Sequence, residues 1–159
     1  MGMKKLYYLF IFLLGSLFLS CSTQKVDPLI YATYETRAVA SENAGSYLLR
    51  VQGKGVTKKM ARENALKQAV RDVIFTDVHV AYGDHKPLMR LITDPSVETK
   101  NQRFFDAFFS NDGGYLEFVR STKSDEEHYS DGAKNTVILN VIVERAALRD
   151  YLKNEGFIK

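Results

Sequence analysis

Apolar and polar residues change their spacing several times along this chain, and each change marks an element. "SYLLRVQG" alternates, with Tyr47, Leu49 and Val51 on one face and Leu48, Arg50 and Gln52 on the other, which predicts a strand. From about Lys58 to Phe75 the period lengthens to that of a helix. Leu66, Ala69, Val70, Val73 and Ile74 recur at helical spacing, while Lys59, Arg62, Glu63, Lys67 and Arg71 fall mostly off that stripe. Ala61, Ala65 and Ala69 form a small-residue row at i, i+4 and i+8, a surface that lets a helix axis come close to a sheet. Gly53-Lys54-Gly55 stands between the two elements, where a turn with φ > 0 is the expected reason for glycine.

Asp94-Pro95 is a helix-start signal, and Val97, Asn101, Phe104, Phe105, Phe108 and Phe109 continue at helical spacing. A second helix is therefore expected from about Pro95 to Ser110, stopped by "NDGG". "YLEFVRST" and "TVILNVIVE" then flank the polar "KSDEEHYSDGAKN", the pattern of a long-looped hairpin. Val137, Leu139, Val141 and Val143 fill one face of its second strand. Ile138 and Ile142 on the other face predict a central strand covered on both sides, or by a helix and a partner. Ala147, Leu148, Tyr151 and Leu152 make a short closing helix with Gly156 at its end. The expected order is β-α-α-β-β-α, an α+β fold with helices on a small mixed or antiparallel sheet of three to four strands. Residues 46–159 carry this single domain; residues 21–45 are read as a tether in which an edge strand is left open.

The N-terminus follows a different rule. Lys4 and Lys5 precede "LYYLFIFLLGSLFLS", an uncharged run of 15 residues, where a bilayer-spanning helix needs about 20. A basic flank, a short apolar run and a small residue before a break make a secretory leader over residues 1–20. Its end, "LFLSC", resembles the bacterial lipobox, with Ser20 as the small residue before the cut and Phe18 where an aliphatic residue is usual. That resemblance implies cleavage between Ser20 and Cys21 and a lipid on Cys21. Cys21 is the only cysteine, so it has no partner for an internal disulfide although the leader sends it to an oxidising compartment. A lipid at Cys21 accounts for both its solitude and its position, and more than one acyl chain is enough for stable anchoring. Ser22 after the cysteine, rather than aspartate, favours the outer membrane of a Gram-negative bacterium by analogy with enteric lipoprotein sorting.

Charge and motifs narrow the chemistry. Losing Lys4 and Lys5 takes Lys+Arg from 22 to 20 against 19 acids, so the mature chain is nearly neutral and gives no electrostatic case for nucleic acid. Gly53-Lys54-Gly55 lacks the P-loop spacing, and Lys58 stands where the dinucleotide motif needs a third glycine, so no nucleotide and no cofactor are expected. Asp77, His79, Asp84 and His85 are ligand types without a metal-site spacing. Asp125, Glu126, Glu127, His128 and Asp131 lack the EF-hand order and read as a solvated loop, with calcium as the alternative. No G-x-S-x-G elbow occurs, and Asp106 and Glu117 are carboxylates that the sequence does not pair. Phe104, Phe105, Phe108 and Phe109 cover more than one helical stripe, so part of that group is expected to form an exposed interaction patch.

The strand, the Gly-x-Gly and "ARENALKQAV" together resemble the helix signature of the lipoprotein 20 family and the N-terminal domain of flagellar assembly protein T. Ala61, Arg62, Ala65 and Ala69 carry that likeness, and "VILNVIVERAALRDYLKNEGF" resembles the last strand and closing helix of such domains. The resemblance spans about Ser46 to Phe157 and implies envelope lipoproteins or assembly factors with no catalytic residues. The expectation is a non-enzymatic, lipid-anchored module that binds another envelope protein. The alternatives are an envelope hydrolase working through carboxylates, or a glycan or peptidoglycan binder, for which the lack of tryptophan counts slightly against.

Overall fold

The computed structural model describes residues 36–43, 45–81, 86–122 and 125–159. The leader, Ser20, Cys21, Asp84 and His85 lie outside the described residues. Strands β1 (Arg37–Asn43), β2 (Ser46–Gly55), β3 (His79–Val80), β4 (Val119–Ser121), β5 (Glu127–Ser130) and β6 (Asn135–Glu144) form one mixed sheet. Its helices are α1 (Lys58–Phe75), α2 (Ser96–Lys100), α3 (Gln102–Phe108) and α4 (Arg145–Asn154), with a 3-10 turn over Gly114–Phe118. The order across the sheet is β3-β1-β2-β6-β4, with β5 also on β6; only β1 and β3 run parallel. The fold is α+β, as the patterning predicts, on a sheet of six strands rather than three or four.

The alternation sets which face is inside. Leu49 pairs with Val141, Val51 with Leu139 and Gly53 with Val137, so the apolar faces of β2 and β6 coincide and are fully buried under α1. On α1, Ala61, Ala65, Ala69, Val70, Val73 and Ile74 are buried, and Thr57 caps the helix by accepting from the Met60 amide at 3.1 Å. The glycines have a different role from the one expected. Gly53 and Gly55 lie within β2 and are not among the positive-φ residues. A Cβ on Gly53 would fall 2.7 Å from the Ala65 Cα and closer still to the Ala61 carbonyl, and one on Gly55 would fall 2.6 Å from the Ala61 nitrogen. Gly-x-Gly and the alanine row are thus two sides of one close contact between strand and helix.

Three other segments depart from the expected elements, and a fourth, left open in the sequence, is a strand. The chain before Ser46 is β1, turned into β2 through Gly45 at φ +117, where a Cβ would meet the Ala146 methyl. The second helix is broken at Asn101 into α2 and α3, because the Asn101 side chain donates to the Val97 carbonyl at 2.8 Å and its backbone leaves the helical region. Residues 114–118 coil as 3-10 because Tyr115 and Phe118, three apart, both turn inward; strand geometry would put them on opposite faces. The polar loop contains β5, which follows no hydrophobic alternation and is held instead by backbone pairing to β6 and by charges.

β6 is the central strand that its doubly apolar pattern predicts. On the face away from α1, Ile138 and Ile142 are buried but lie outside the main core. On this face Arg50 donates to the side chains of Asn140 and Glu127, and the Tyr129 hydroxyl donates to Glu127 at 2.5 Å.

Candidate functional site

A concave surface lies at the β1 end of the sheet. β3 pairs β1 only at Arg37 and Ala38, so residues 39–43 have no strand on their outer side among the described residues. A cavity of about 570 Å³ opens there, lined by residues 38–41 of β1, by Tyr47 and Val80, by Lys86–Met89 and by Arg145. Successive strand residues point to opposite faces, so four consecutive lining residues mean that β1 presents its edge to the cavity. The lining is largely apolar, with Met89 58% exposed. Its charged members are Lys86 and Arg145, and no described carboxylate lines it.

Arg145 is placed by the end of β6. The chain passes straight from that strand into α4, and the Ala146 amide donates to the Gly45 carbonyl at 3.0 Å, fixing the corner. The Arg145 guanidinium donates through Nη2 to the Met89 carbonyl at 2.8 Å, while its buried Nε–H has no acceptor among the described residues. Burial lowers its pKa, with the like charge of Arg149 acting the same way and Tyr47 opposing. Arg145 is thus an arginine half-withdrawn from water with no carboxylate partner among the described residues.

A second, polar cleft of about 320 Å³ lies between α1 and β3, lined among others by Thr36, Gln68, Asp72, Thr76, Asp77 and His79. Burial raises the pKa of Asp72, against the hydrogen bonds it accepts from Thr36 and Gln68 and the charge of Arg71. Arg90 does the reverse to Asp77, holding it down at about 2 through a two-pronged pair at 3.1 and 2.9 Å and a backbone bond at 2.9 Å. Two carboxylates on one cleft thus have pKa values pushed apart, the condition for dividing acid and base roles. Each already has both oxygens engaged by protein donors.

The four phenylalanines do come together, but they face inward. Phe105 and Phe108 are buried, and Phe104 and Phe109 are half-buried against the core. Phe104 packs on Phe157 at 4.7 Å, Phe105 on Phe75 at 5.2 Å, and Phe108 stacks on Tyr151 at 5.7 Å. This is a correction to the expected exposed patch: short α3 lies between α1 and the chain end, and both neighbours supply rings. His79 is exposed, and Asp77 is committed to Arg90. In the acidic segment Glu126 pairs with Lys58 and Arg62, Glu127 with Arg50, and Asp131 accepts from the amides of Ala133 and Lys134. Of the carboxylates expected to lie in a solvated loop, Glu126 and Glu127 therefore tie this segment to α1 and β2. Asp106 and Glu117 are exposed on α3 and the 3-10 turn.

Neither Arg145 nor Lys86 is marked by a motif in the sequence, and Tyr47 reads there as an ordinary strand residue. Their meeting depends on where β1 and residues 86–89 fall, and both segments lack a clear period. No described helix is long and apolar enough to cross a membrane. Comparison with protein-family models, with curated proteins and with solved structures gave no match to this chain.

Proposed function

We propose that this chain is a lipid-anchored module of the bacterial cell envelope, of the lipoprotein 20 and flagellar assembly protein T kind, that binds another envelope protein and catalyses no reaction. The observation that carries this reading is "LFLSC", which closes a 20-residue leader with a 15-residue uncharged run, with Cys21 the only cysteine of the chain. The cavity at the β1 edge supports it, since an apolar concavity with few polar groups is what a binding module needs. With Ser22 after the cysteine, the anchored face belongs to the outer membrane of a Gram-negative cell. The experiment is fractionation of wild type beside Cys21→Ser, followed by affinity recovery from solubilised membranes. Release of the variant into the soluble fraction and recovery of one envelope complex by the wild type are expected. A variant that stays with the membrane contradicts the anchor.

The polar cleft favours one rival, an envelope hydrolase using Asp72 and Asp77 as a split acid–base pair. It ranks second because Arg90, Thr36 and Gln68 already occupy those carboxylates. Turnover of purified peptidoglycan or envelope glycan by the wild type, abolished by Asp72→Asn, would reverse the ranking.

A further inference from the structure

We infer that the corner where β2 turns into α1 seats on the surface of an anionic phospholipid bilayer, with Val56 and Met60 entering the interface and Lys58, Lys59 and Lys134 meeting the phosphates. The inference rests on the reading of this chain as lipid-anchored through Cys21 and specifies which face the domain turns to its own membrane.

Three observations point to that occupant. The first is exposed apolar area on a fixed corner. Residues 56–60 are all exposed, and Val56 (65%) and Met60 (43%) are two of the four exposed large apolar residues among those described. Single exposed apolar residues are ordinary, whereas two within five positions on a held corner mark a contact surface. The Thr57 cap fixes the start of α1, and the Asn135 side chain donates to the Val56 carbonyl at 3.0 Å, tying the corner to the start of β6. The second is the placing of charge. The Lys58 and Lys59 side chains are 55% and 86% exposed, while the carboxylates they pair with, Glu126 and Glu63, are 20% and 31% exposed. The cations therefore stand outward of their partners. Lys134 is exposed at the same end of the sheet, because its neighbour Asn135 pairs with Gly55. Lysines around an apolar pair match a bilayer surface, with phosphates at the level of the ammonium groups and acyl chains beneath. An acidic protein would also suit the lysines, and the third observation selects the membrane. β1 runs from Arg37, opposite Arg50, to Asn43, opposite Ser46, so it starts at its end nearer to Gly55. From the Arg50 register to Gly55 is five residues, about 17 Å at 3.4 Å per residue. Fifteen Cα steps separate Cys21 from Thr36 and cover at most about 50 Å. A lipid on Cys21 thus holds this corner within reach of the bilayer, at an effective concentration where a weak contact is enough.

The test uses the full-length lipidated protein in vesicles, with a nitrobenzoxadiazole label on Val56→Cys. Cys21 is the only native cysteine and its thiol is taken by lipid, so the label is unique. Met89→Cys is the control, an apolar site 58% exposed at the opposite end of the sheet, where Arg145 donates to its carbonyl. In vesicles of phosphatidylethanolamine and phosphatidylglycerol, quenching by lipid-borne nitroxides is expected at Val56 and not at Met89. Replacing the phosphatidylglycerol by phosphatidylcholine should lower the ratio of seated to unseated protein about tenfold or more. Lys59→Glu combined with Lys134→Glu should do the same. Both positions are exposed, so that variant should melt with the wild type. Equal quenching at Val56 and Met89, or quenching at Val56 that is indifferent to both changes, overturns the inference. A blue shift at Val56 that appears only when solubilised envelope protein is added gives the face to a protein partner and overturns it too. Fractionation of Cys21→Ser tests the anchor separately. Release of that variant, with Val56 of the lipidated protein still in water, leaves the anchor standing and strikes the seat alone.

Discussion

Gly53→Ala is the sharpest probe of how the sheet and α1 are held together. The added methyl would lie 2.7 Å from the Ala65 Cα and nearer to the Ala61 carbonyl oxygen, both backbone atoms in the first half of an 18-residue helix. No side-chain rotation relieves such a contact, so helix and strand must separate. Separation would loosen Ala61, Ala65 and Ala69 from Val51, Leu139 and Val137, all fully buried. Overpacking typically costs about 1–3 kcal/mol, and backbone obstruction belongs at the upper end, about 3 kcal/mol. That is a large share of a typical stability of about 5–15 kcal/mol. For a domain of this size each kcal/mol moves Tm by about 3–5 °C, so a fall of about 10 °C is expected in a circular-dichroism melt. Because the obstructing atoms are backbone, adding Ala65→Gly does not restore the loss. A Tm within 2 °C of wild type, or rescue by Ala65→Gly, would refute the close-contact account.

Further outcomes follow from the packing and the charges. Phe108→Ala removes a ring buried against Phe104, Phe118 and Tyr151 and should cost about 3–5 kcal/mol in denaturant unfolding; a cost under 1 kcal/mol would return Phe108 to the surface. Tyr115→Phe removes a fully buried hydroxyl with no partner among the described residues, so Tm should stay level or rise by a few degrees, and a marked fall would reveal a hidden hydrogen bond. Asp77 has its folded pKa lowered to about 2 from 3.8, so its pairing stabilises the fold above about pH 4, and that gain is lost as pH falls through 4 toward 2. Melts of Asp77→Asn should therefore vary less over that window than wild type, and parallel curves would show that the pair is not linked to folding. Asp72 carries the opposite sign: its folded pKa is raised by burial, so its charged form weighs against folding at neutral pH. Asp72→Asn should hold or raise Tm at pH 7, and a loss would mean that the Thr36 and Gln68 bonds outweigh burial.

The parts of the fold that announce themselves in the sequence are those with a strict hydrophobic period. β2, α1, β6 and α4 are built on such periods, and their buried faces follow from Leu49, Val51, Ala61, Ala65, Leu139, Leu148 and their neighbours. β5 left no such trace, because Glu127, His128 and Tyr129 are held by pairing to β6 and by Arg50, interactions that reach across 77 positions for Arg50 and Glu127. The break at Asn101 depends on a side chain choosing a backbone carbonyl, which a hydrophobic period cannot register. The same applies to the cavity at the β1 end of the sheet. Arg145 stands on a readable helix, but its neighbours Met89 and Tyr47 come from 56 and 98 positions away in the chain. The aromatic run shows the opposite failure. Four rings exceed one helical stripe, yet Phe75, Tyr151 and Phe157 bury them from outside the helix.

The central claim is that Cys21 becomes the lipidated N-terminus of the mature protein. Mass spectrometry of the tryptic N-terminal peptide from membrane-purified protein tests it most directly. Lipidation predicts a peptide from Cys21 to Lys25 carrying a diacylglyceryl thioether and an acylated amine. An unmodified Cys21, or a chain that still begins with the leader, would contradict it.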